Sequence, residues 1–190
     1  MNIEDVEGLE EELLNYPLLQ YAILDRDQVN FLDHVRYVCE TECPCYGKSW
    51  SCPPAVGTVD ECRERCQKFT HVFLFTTIAE VNDITNMEET LATREAHEEV
   101  TRELTAVFRR RFGETLTLST ESCAICPKCS YPDGPCRHPD KMFPCVESHG
   151  ILVTELAEAA GIPFINGANV VTWFSLIWFN GKESECQPIK

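Results

Sequence analysis

The sequence is short of basic residues. Its 190 positions hold 16 lysines and arginines against 31 acidic residues, which gives a formal net charge of −15. A protein that binds nucleic acid needs a basic surface to neutralise the phosphates, so we expect no nucleic-acid partner. An acidic surface is better suited to keeping the protein in solution or to meeting a basic partner protein.

A long apolar run is also missing. The longest one, Val170 to Phe179, is interrupted by Thr172 and Ser175 and is much shorter than the ~20 residues that cross a bilayer. The first residues, MNIEDVE, contain neither the basic region nor the apolar core of a secretion signal. We therefore expect a cytoplasmic protein with no membrane segment. In such a reducing compartment, clustered cysteines serve as metal ligands or redox groups more often than as disulfides.

No familiar catalytic pattern is present. The glycines form no phosphate-binding motif, and we find no Ser, His and Asp order typical of a hydrolase. Most of the five histidines are expected to be structural, and His97, near the apolar face of the long helix, is expected to be a hydrogen-bonded edge residue. The sequence therefore identifies no catalytic residue and no substrate.

What the chain has in quantity is cysteine, with 12 in all. The most informative run is Cys123-x2-Cys126-x2-Cys129, followed by Cys136. Thiols at this spacing can close around one metal centre, and the first three match the cysteine run of bacterial ferredoxins. The basic residues nearby would offset the charge of thiolates; they are Lys128, Arg137 and Lys141.

A first cysteine group precedes this one. Its candidate ligands are Cys39, Cys43, Cys45, Cys52, Cys62 and Cys66. Prolines 44, 53 and 54 stiffen the loop, and Gly47 permits a turn that lets the chain wrap around a centre. Four of the six thiols suffice, so the residues alone leave the choice of ligands open. Cys145 and Cys186 are expected to be free thiols.

The pattern of apolar residues predicts an α/β fold, with α+β as the alternative. We expect one compact domain with a central mixed sheet, flanking helices and two cysteine-rich metal loops. Helices are predicted at 4–15, 31–40, 58–68, 85–113 and 152–160, and strands at 21–24, 71–79, 116–118 and 170–179. The apolar strand 71–79 is expected to be central in the sheet.

The single domain, residues 1–190, is subdivided by its cysteine groups. We predict an N-terminal helical extension at 1–30, a first cysteine group at 31–70, a β-α-β core at 71–120, a second cysteine group at 121–150 and a C-terminal helix and strand at 151–190.

The segment YGKSWSCPP after Cys39 and Cys43, the later CxxCxxC run and the following GPCRHPDK together resemble a known family. This is domain-of-unknown-function family 2284, whose members are predicted metal-binding proteins. The resemblance implies a cysteine-rich, iron–sulfur protein from organisms that live with little oxygen. The matching cysteines are Cys39, Cys43, Cys52, Cys62, Cys123, Cys126, Cys129 and Cys136, whereas Cys45 and Cys66 are additions and relatives often carry serine at Cys145.

The sequence and the resemblance together predict two [4Fe–4S] clusters. One is assigned to Cys39, Cys43, Cys52 and Cys62, with Cys45 as an alternative fourth ligand, and the other to Cys123, Cys126, Cys129 and Cys136. The expected role is electron transfer, with a redox partner protein or a metalloenzyme. The alternatives are a structural zinc protein that forms an interaction surface, and an iron–sulfur enzyme with an open-site cluster for a small substrate.

Overall fold

A computed structural model describes the backbone of residues 3–181 and the side chains of residues 8–181. Cys186, expected to be a free thiol, lies outside these residues. The helices are α1 (Ile3–Leu13), α2 (Asp33–Thr41), α3 (Val59–Cys66), α4 (Met87–Ala92), α5 (Arg94–Phe112) and α6 (Val153–Ala159). The strands are β1 (Gln20–Asp25), β2 (His71–Glu80), β3 (Thr115–Leu118) and β4 (Val170–Phe179), and short 3₁₀ turns lie at Arg26–Gln28 and Glu147–His149.

The four strands form one sheet in the order β1-β2-β4-β3. The α/β class and the single compact domain are confirmed, and β2 is central as predicted. The sheet was expected to be mixed, but in the described part of the chain every strand pair is antiparallel. β2 and β3 run parallel to each other, because each pairs antiparallel with β4. They are not neighbours, because β4 returns from the C-terminal part of the chain and inserts between them.

The core lies on both faces of the sheet. Successive residues of β2 point to opposite faces, so Val72 and Leu74 pack with α6 while Phe73 and Phe75 pack with α1 and α5. β4 divides in the same way, with Trp178 on the first face and Phe179 on the second. Burial on both faces explains why these two strands are continuously apolar instead of alternating.

The long helix predicted at 85–113 is broken into two. At the break, the Thr93 hydroxyl donates to the Thr90 carbonyl at 2.8 Å and accepts from the Trp173 indole at 2.9 Å. Asn86 caps α4 as expected, by accepting from the Glu89 amide at 3.2 Å. Gly113 ends α5 with φ +84°, a value that suits glycine.

α5 buries a polar residue, His97, more deeply than the sequence predicted. His97 was expected at the helix edge, yet it is 1% exposed. Its ring bonds the hydroxyls of Thr77 and Ser175, both at 2.8 Å. Burial lowers the pKa of His97 to about 3, so the ring is neutral. The ring is hydrogen-bonded as expected, but it lies inside the apolar face and not at its edge, because the two hydrogen bonds satisfy it there.

Candidate metal centres

The second cysteine group forms a single pocket, here called the thiol pocket. It is lined by all four predicted ligands of the second centre, which are Cys123, Cys126, Cys129 and Cys136. The pocket holds about 20 Å³, close to the room that one water molecule needs. The chain from Cys123 to Cys136 has no helix or strand. Four thiolates suit either an iron–sulfur cluster or zinc, and the loop must open to admit a four-iron cluster.

Hydrogen bonds converge on Cys129 in the thiol pocket. Burial opposes ionisation of this thiol, but the backbone of Tyr131, Trp50 and Ser130 and the Ser49 hydroxyl stabilise the thiolate, so the pKa of Cys129 is lowered. The thiolate is the form that binds a metal. Burial raises the pKa of Cys123, whose backbone N–H donates to the Ser51 hydroxyl at 2.8 Å.

Four thiols of the first cysteine group also lie together. Burial raises the pKa of Cys39 to about 11, with further contributions from the neighbouring Cys43 and Cys52 thiols. Burial likewise raises the pKa of Cys45, with smaller contributions from Cys43 and Cys52. The thiols of Cys43 and Cys52 therefore influence both Cys39 and Cys45. We call the four thiols of Cys39, Cys43, Cys45 and Cys52 the thiol ring.

A fifth thiol, Cys145, lies near Cys52 at the end of the second cysteine group. Its proximity lowers the pKa of Cys52, while Cys52 and burial raise the pKa of Cys145 well above its usual value. The Ser148 amide fixes the position of Cys145 by donating to its sulfur at 3.2 Å. From the sequence, Cys145 was expected to be a free thiol, because its distance along the chain from the other cysteines does not indicate a contact with Cys52.

Cys62 and Cys66 lie on α3, and the Cys62 sulfur is 4.0 Å from the Ser148 carbonyl. They occupy one face of α3 and are both 0% exposed. The Cys62 sulfur accepts from the guanidinium groups of Arg36 at 3.7 Å and Arg65 at 3.1 Å, and its thiol faces the Val56 carbonyl at 3.5 Å. Among the four predicted ligands of the first centre, Cys39, Cys43 and Cys52 thus influence one another, whereas Cys62 lies among arginines.

The two thiol groups meet at residues 49–51. The Ser51 hydroxyl accepts from the Cys123 amide and lies 3.6 Å from the Cys52 sulfur. The Trp50 indole donates to the Gly134 carbonyl at 3.0 Å and its ring packs edge-on against Tyr131. One tripeptide thus contacts the thiol ring on one side and the thiol pocket on the other. This tripeptide belongs to the segment YGKSWSCPP, but no spacing rule predicts that it joins two distant loops.

An open cleft adjoins the thiol pocket. It holds about 570 Å³ between α5 and residues 121–125, and Cys123 forms part of its wall. Its charged lining residues are Arg94, Glu95, Glu98, Glu99, Arg102, Glu121 and Lys141. Glu98 accepts from the Ser119 hydroxyl at 2.5 Å and lies 3.6 Å from Arg102. Burial raises the pKa of Glu98, which favours its protonated form.

All eleven cysteines in the described residues are free thiols. Within the same residues, no three His, Cys, Asp or Glu side chains converge closely enough to hold a single metal ion. Among residues 3–181, none of the helices has the length and apolarity needed to cross a bilayer.

The fold and the thiols together define a cysteine-rich α/β protein whose loops present two groups of four candidate thiolate ligands. The chain belongs to the family of predicted metal-binding proteins named DUF2284, whose model matches residues 22–179. This match covers the whole sheet except the first two residues of β1, and both cysteine groups. No curated protein and no solved structure matches the chain.

Proposed function

We propose that this protein binds two [4Fe–4S] clusters and transfers single electrons to a redox partner protein or to a metalloenzyme that it assists. The observation that carries the proposal is the presence of two separate four-thiol groups joined by residues 49–51. Bound clusters would supply one-electron redox chemistry. A single structural site would need only one such group.

The chain's own residues are suited to holding such centres. Thiolates carry negative charge, and the Lys128, Arg137 and Lys141 side chains lie in the loop that would hold the second cluster. Arg137 also donates to the Lys128 carbonyl at 2.9 Å, which joins the residue before Cys129 to the residue after Cys136. Cys123, Cys126, Cys129 and Cys136 would each bind one iron of the second cluster, while Ser49 and the neighbouring amides stabilise the thiolate of Cys129.

The position of Ser51 favours electron transfer between the two centres. Its hydroxyl bonds the backbone of one predicted ligand, Cys123, and lies beside the sulfur of another, Cys52. Two centres separated by one residue can exchange an electron without a large movement of the chain. We place this activity in the reducing cytoplasm, with a partner whose basic face complements the formal charge of −15.

Optical and magnetic spectra of the anaerobically purified chain test the proposal. We expect a brown protein with a broad visible band that dithionite bleaches, and a reduced state with two interacting electron spins. The double variant Cys126→Ser/Cys129→Ser should keep one cluster and lose the spin interaction. A colourless protein that binds zinc without sulfide would contradict electron transfer and favour the structural zinc alternative.

A second candidate function, an iron–sulfur enzyme with a small substrate, is favoured by the cleft of about 570 Å³ beside Cys123. A substrate in this cleft would lie against one side of the second centre. Glu98 on the cleft wall would be a proton donor, since burial raises its pKa. A change in the cluster spectrum when candidate substrates are added, lost in Glu98→Gln, would support the enzyme. Spectra that no added compound changes would favour the electron carrier.

A further inference from the structure

We infer that the outward side of α2 is the surface on which the redox partner docks, and that this partner is a basic protein with an apolar contact area. We call this surface the docking face. Its members are all exposed; the centre is formed by His34, Tyr37, Val38 and Thr41, and the acidic rim by Asp33, Glu40 and Glu42. The inference deepens the proposed function and rests on it, because it assumes that electrons leave through the first cysteine group.

The opposite side of α2 is held in the protein. Val35, Arg36 and Cys39 are buried there. The Arg36 guanidinium donates to the Gly57 carbonyl at 2.7 Å and also to the Ser148 carbonyl. With 3.6 residues per turn, burial of these three residues leaves the docking face pointing outward. The helix cannot rotate to bury that face without losing both bonds of Arg36.

The centre of the docking face exposes apolar area to water. Tyr37 is 65% exposed and Val38 is 53% exposed. Thr41 lies one turn further along the helix on the same side, and its hydroxyl is already bonded, since it donates to the Tyr37 carbonyl at 2.9 Å. An exposed apolar patch with a polar rim is typical of a protein interface, and tyrosine is enriched in such interfaces.

A second pair of adjacent apolar residues is also exposed and provides a comparison. Phe164 is 45% exposed and Ile165 is 78% exposed. The Phe164 ring stacks on Phe174, with 5.3 Å between the ring centres. This pair lies between α6 and β4, outside both cysteine groups. It therefore offers a similar apolar area without a candidate metal loop beside it.

The rim gives the docking face a negative charge. Asp33 and Glu40 lie on one side of the apolar centre, and Glu42 lies on the other. Arg36 belongs to the same helix, but it is buried and its guanidinium is directed at backbone carbonyls. A partner with lysines or arginines around an apolar contact is attracted to such a face, and an acidic partner is repelled.

The docking face also lies close to the first cysteine group. Cys39 is on the buried side of α2, so a partner on the outward side is separated from it by one helix, about 10–12 Å across. Cys43, just beyond the end of the helix, is itself exposed. In the transfer step, one electron leaves the reduced first centre and enters the oxidised cofactor of the partner, and no bond is made or broken.

Oxidised cytochrome c, a small basic haem protein, is the probe for the docking face. The chain is reduced without oxygen, separated from excess dithionite and mixed with the probe in a stopped-flow instrument. Tyr37→Ser/Val38→Ser should lower the rate of haem reduction about tenfold, and should reduce a small neutral quinone as fast as the unaltered chain does. The matched control, Phe164→Ser/Ile165→Ser, should change neither rate. Unaltered haem reduction in the first variant, or an equal loss in the control, would overturn the inference.

Glu40→Gln/Glu42→Gln tests the acidic rim. This variant should slow haem reduction at low salt and make the rate less dependent on salt, because part of the attraction is removed. Glu10→Gln/Glu11→Gln makes the same change of charge at exposed positions of α1, which packs on the second face of the sheet, and should have the smaller effect. Equal effects in the two variants would show that overall charge, and not the rim, attracts the probe.

Cross-linking with a carbodiimide locates the complex without relying on electron transfer. The reagent should join the carboxyl of Glu40 or Glu42 to a lysine of cytochrome c, as identified by mass spectrometry of the linked peptides. A chain that reduces the probe but is cross-linked to it only through α1 would refute the docking face alone. A chain that contains no iron and reduces no acceptor would instead refute the proposed function.

Discussion

Ser51 is the residue that links the two thiol groups, and it is 0% exposed. Its hydroxyl bonds both the Cys123 amide and the Ser49 hydroxyl, and its backbone carbonyl accepts from the Cys145 amide at 3.2 Å. Cysteine spacing identified both groups of ligands, but the serine that joins them carries no metal-binding signature. Contacts of this kind depend on how two loops pack, so sequence alone could not have predicted them.

We predict that Ser51→Ala destabilises both centres. The substitution leaves the partly buried Cys123 N–H without its acceptor, at a cost of about 0.5–1.5 kcal/mol, and removes a polar contact from Cys52. A chelator should therefore remove iron from the variant several times faster than from the unaltered chain, as followed by the loss of visible absorption. The control is Thr41→Ala, which removes an exposed hydroxyl near the thiol ring. Equal rates in all three proteins would contradict the prediction.

The buried His97 makes the free energy of unfolding depend on pH. Its folded pKa of about 3 lies below the ordinary value of 6.5, so the unfolded chain binds a proton that the folded chain does not. This contribution to stability is present above pH 6.5 and is lost as the pH falls from about 6.5 to about 3, by about 1.4 kcal/mol per pH unit.

His97→Gln should therefore reduce the pH dependence of the free energy of unfolding between pH 6.5 and 5. We expect the variant to be less stable than the unaltered chain at pH 7, because glutamine does not reproduce both hydrogen bonds. The difference in stability between the two should shrink toward pH 5. Urea unfolding at several pH values, followed by circular dichroism, measures both effects. A constant difference across this range would show that His97 titrates normally.

At the scale of elements, the sequence predicted the helices and strands well where the signal was local. The Thr58 and Glu61 capping box begins α3 as expected, with the Glu61 amide 3.2 Å from the Thr58 hydroxyl. The apolar run at 71–79 became the central strand β2. The direction and order of the strands were missed, because hydrophobic pattern does not say where a strand inserts after a long loop.

Gly150 fixes the geometry between α2 and the turn that precedes α6. Its φ is +77°, and a Cβ there would lie 3.1 Å from both the Leu32 carbonyl oxygen and a Val59 methyl. Its own carbonyl accepts from the Leu32 amide at 2.7 Å, just before α2 begins. Both the backbone conformation and the close approach therefore require glycine at this position.

We predict that Gly150→Ala costs more stability than Gly161→Ala. Gly161 has a similar φ of +67° but no atom within 4 Å of a Cβ, so its variant isolates the backbone strain of about 1–2 kcal/mol. The clash at Gly150 should add about 1–3 kcal/mol. Thermal unfolding of the two variants measures the difference directly. Equal losses would mean that the chain around Leu32 moves aside without cost.

At the scale of the whole molecule, the sheet and the cysteine loops are stabilised by different interactions. The sheet is covered on both faces by apolar side chains, whereas residues 121–142 contain no helix or strand. We therefore expect the core to form without a metal, whereas the loops depend on single hydrogen bonds such as those of Ser51 and Trp50 and on any bound metal. This separation follows from the length of the chain, which is sufficient for a core of its own.

Removing the metal should consequently loosen the loops and leave the sheet folded. In hydrogen–deuterium exchange, we expect chelated protein to lose protection at residues 39–54 and 121–145 while β2 and β4 keep theirs. Protection that is unchanged in both loops would indicate that no metal orders them. Loss of protection throughout the sheet would indicate that the metal supports the whole fold.

The most direct test of two iron–sulfur centres is the iron, zinc and acid-labile sulfide content of the chain purified without oxygen. Two [4Fe–4S] clusters predict about eight iron and about eight sulfide per polypeptide, with zinc absent. Zinc without sulfide would contradict the account and leave a structural or interaction protein in its place.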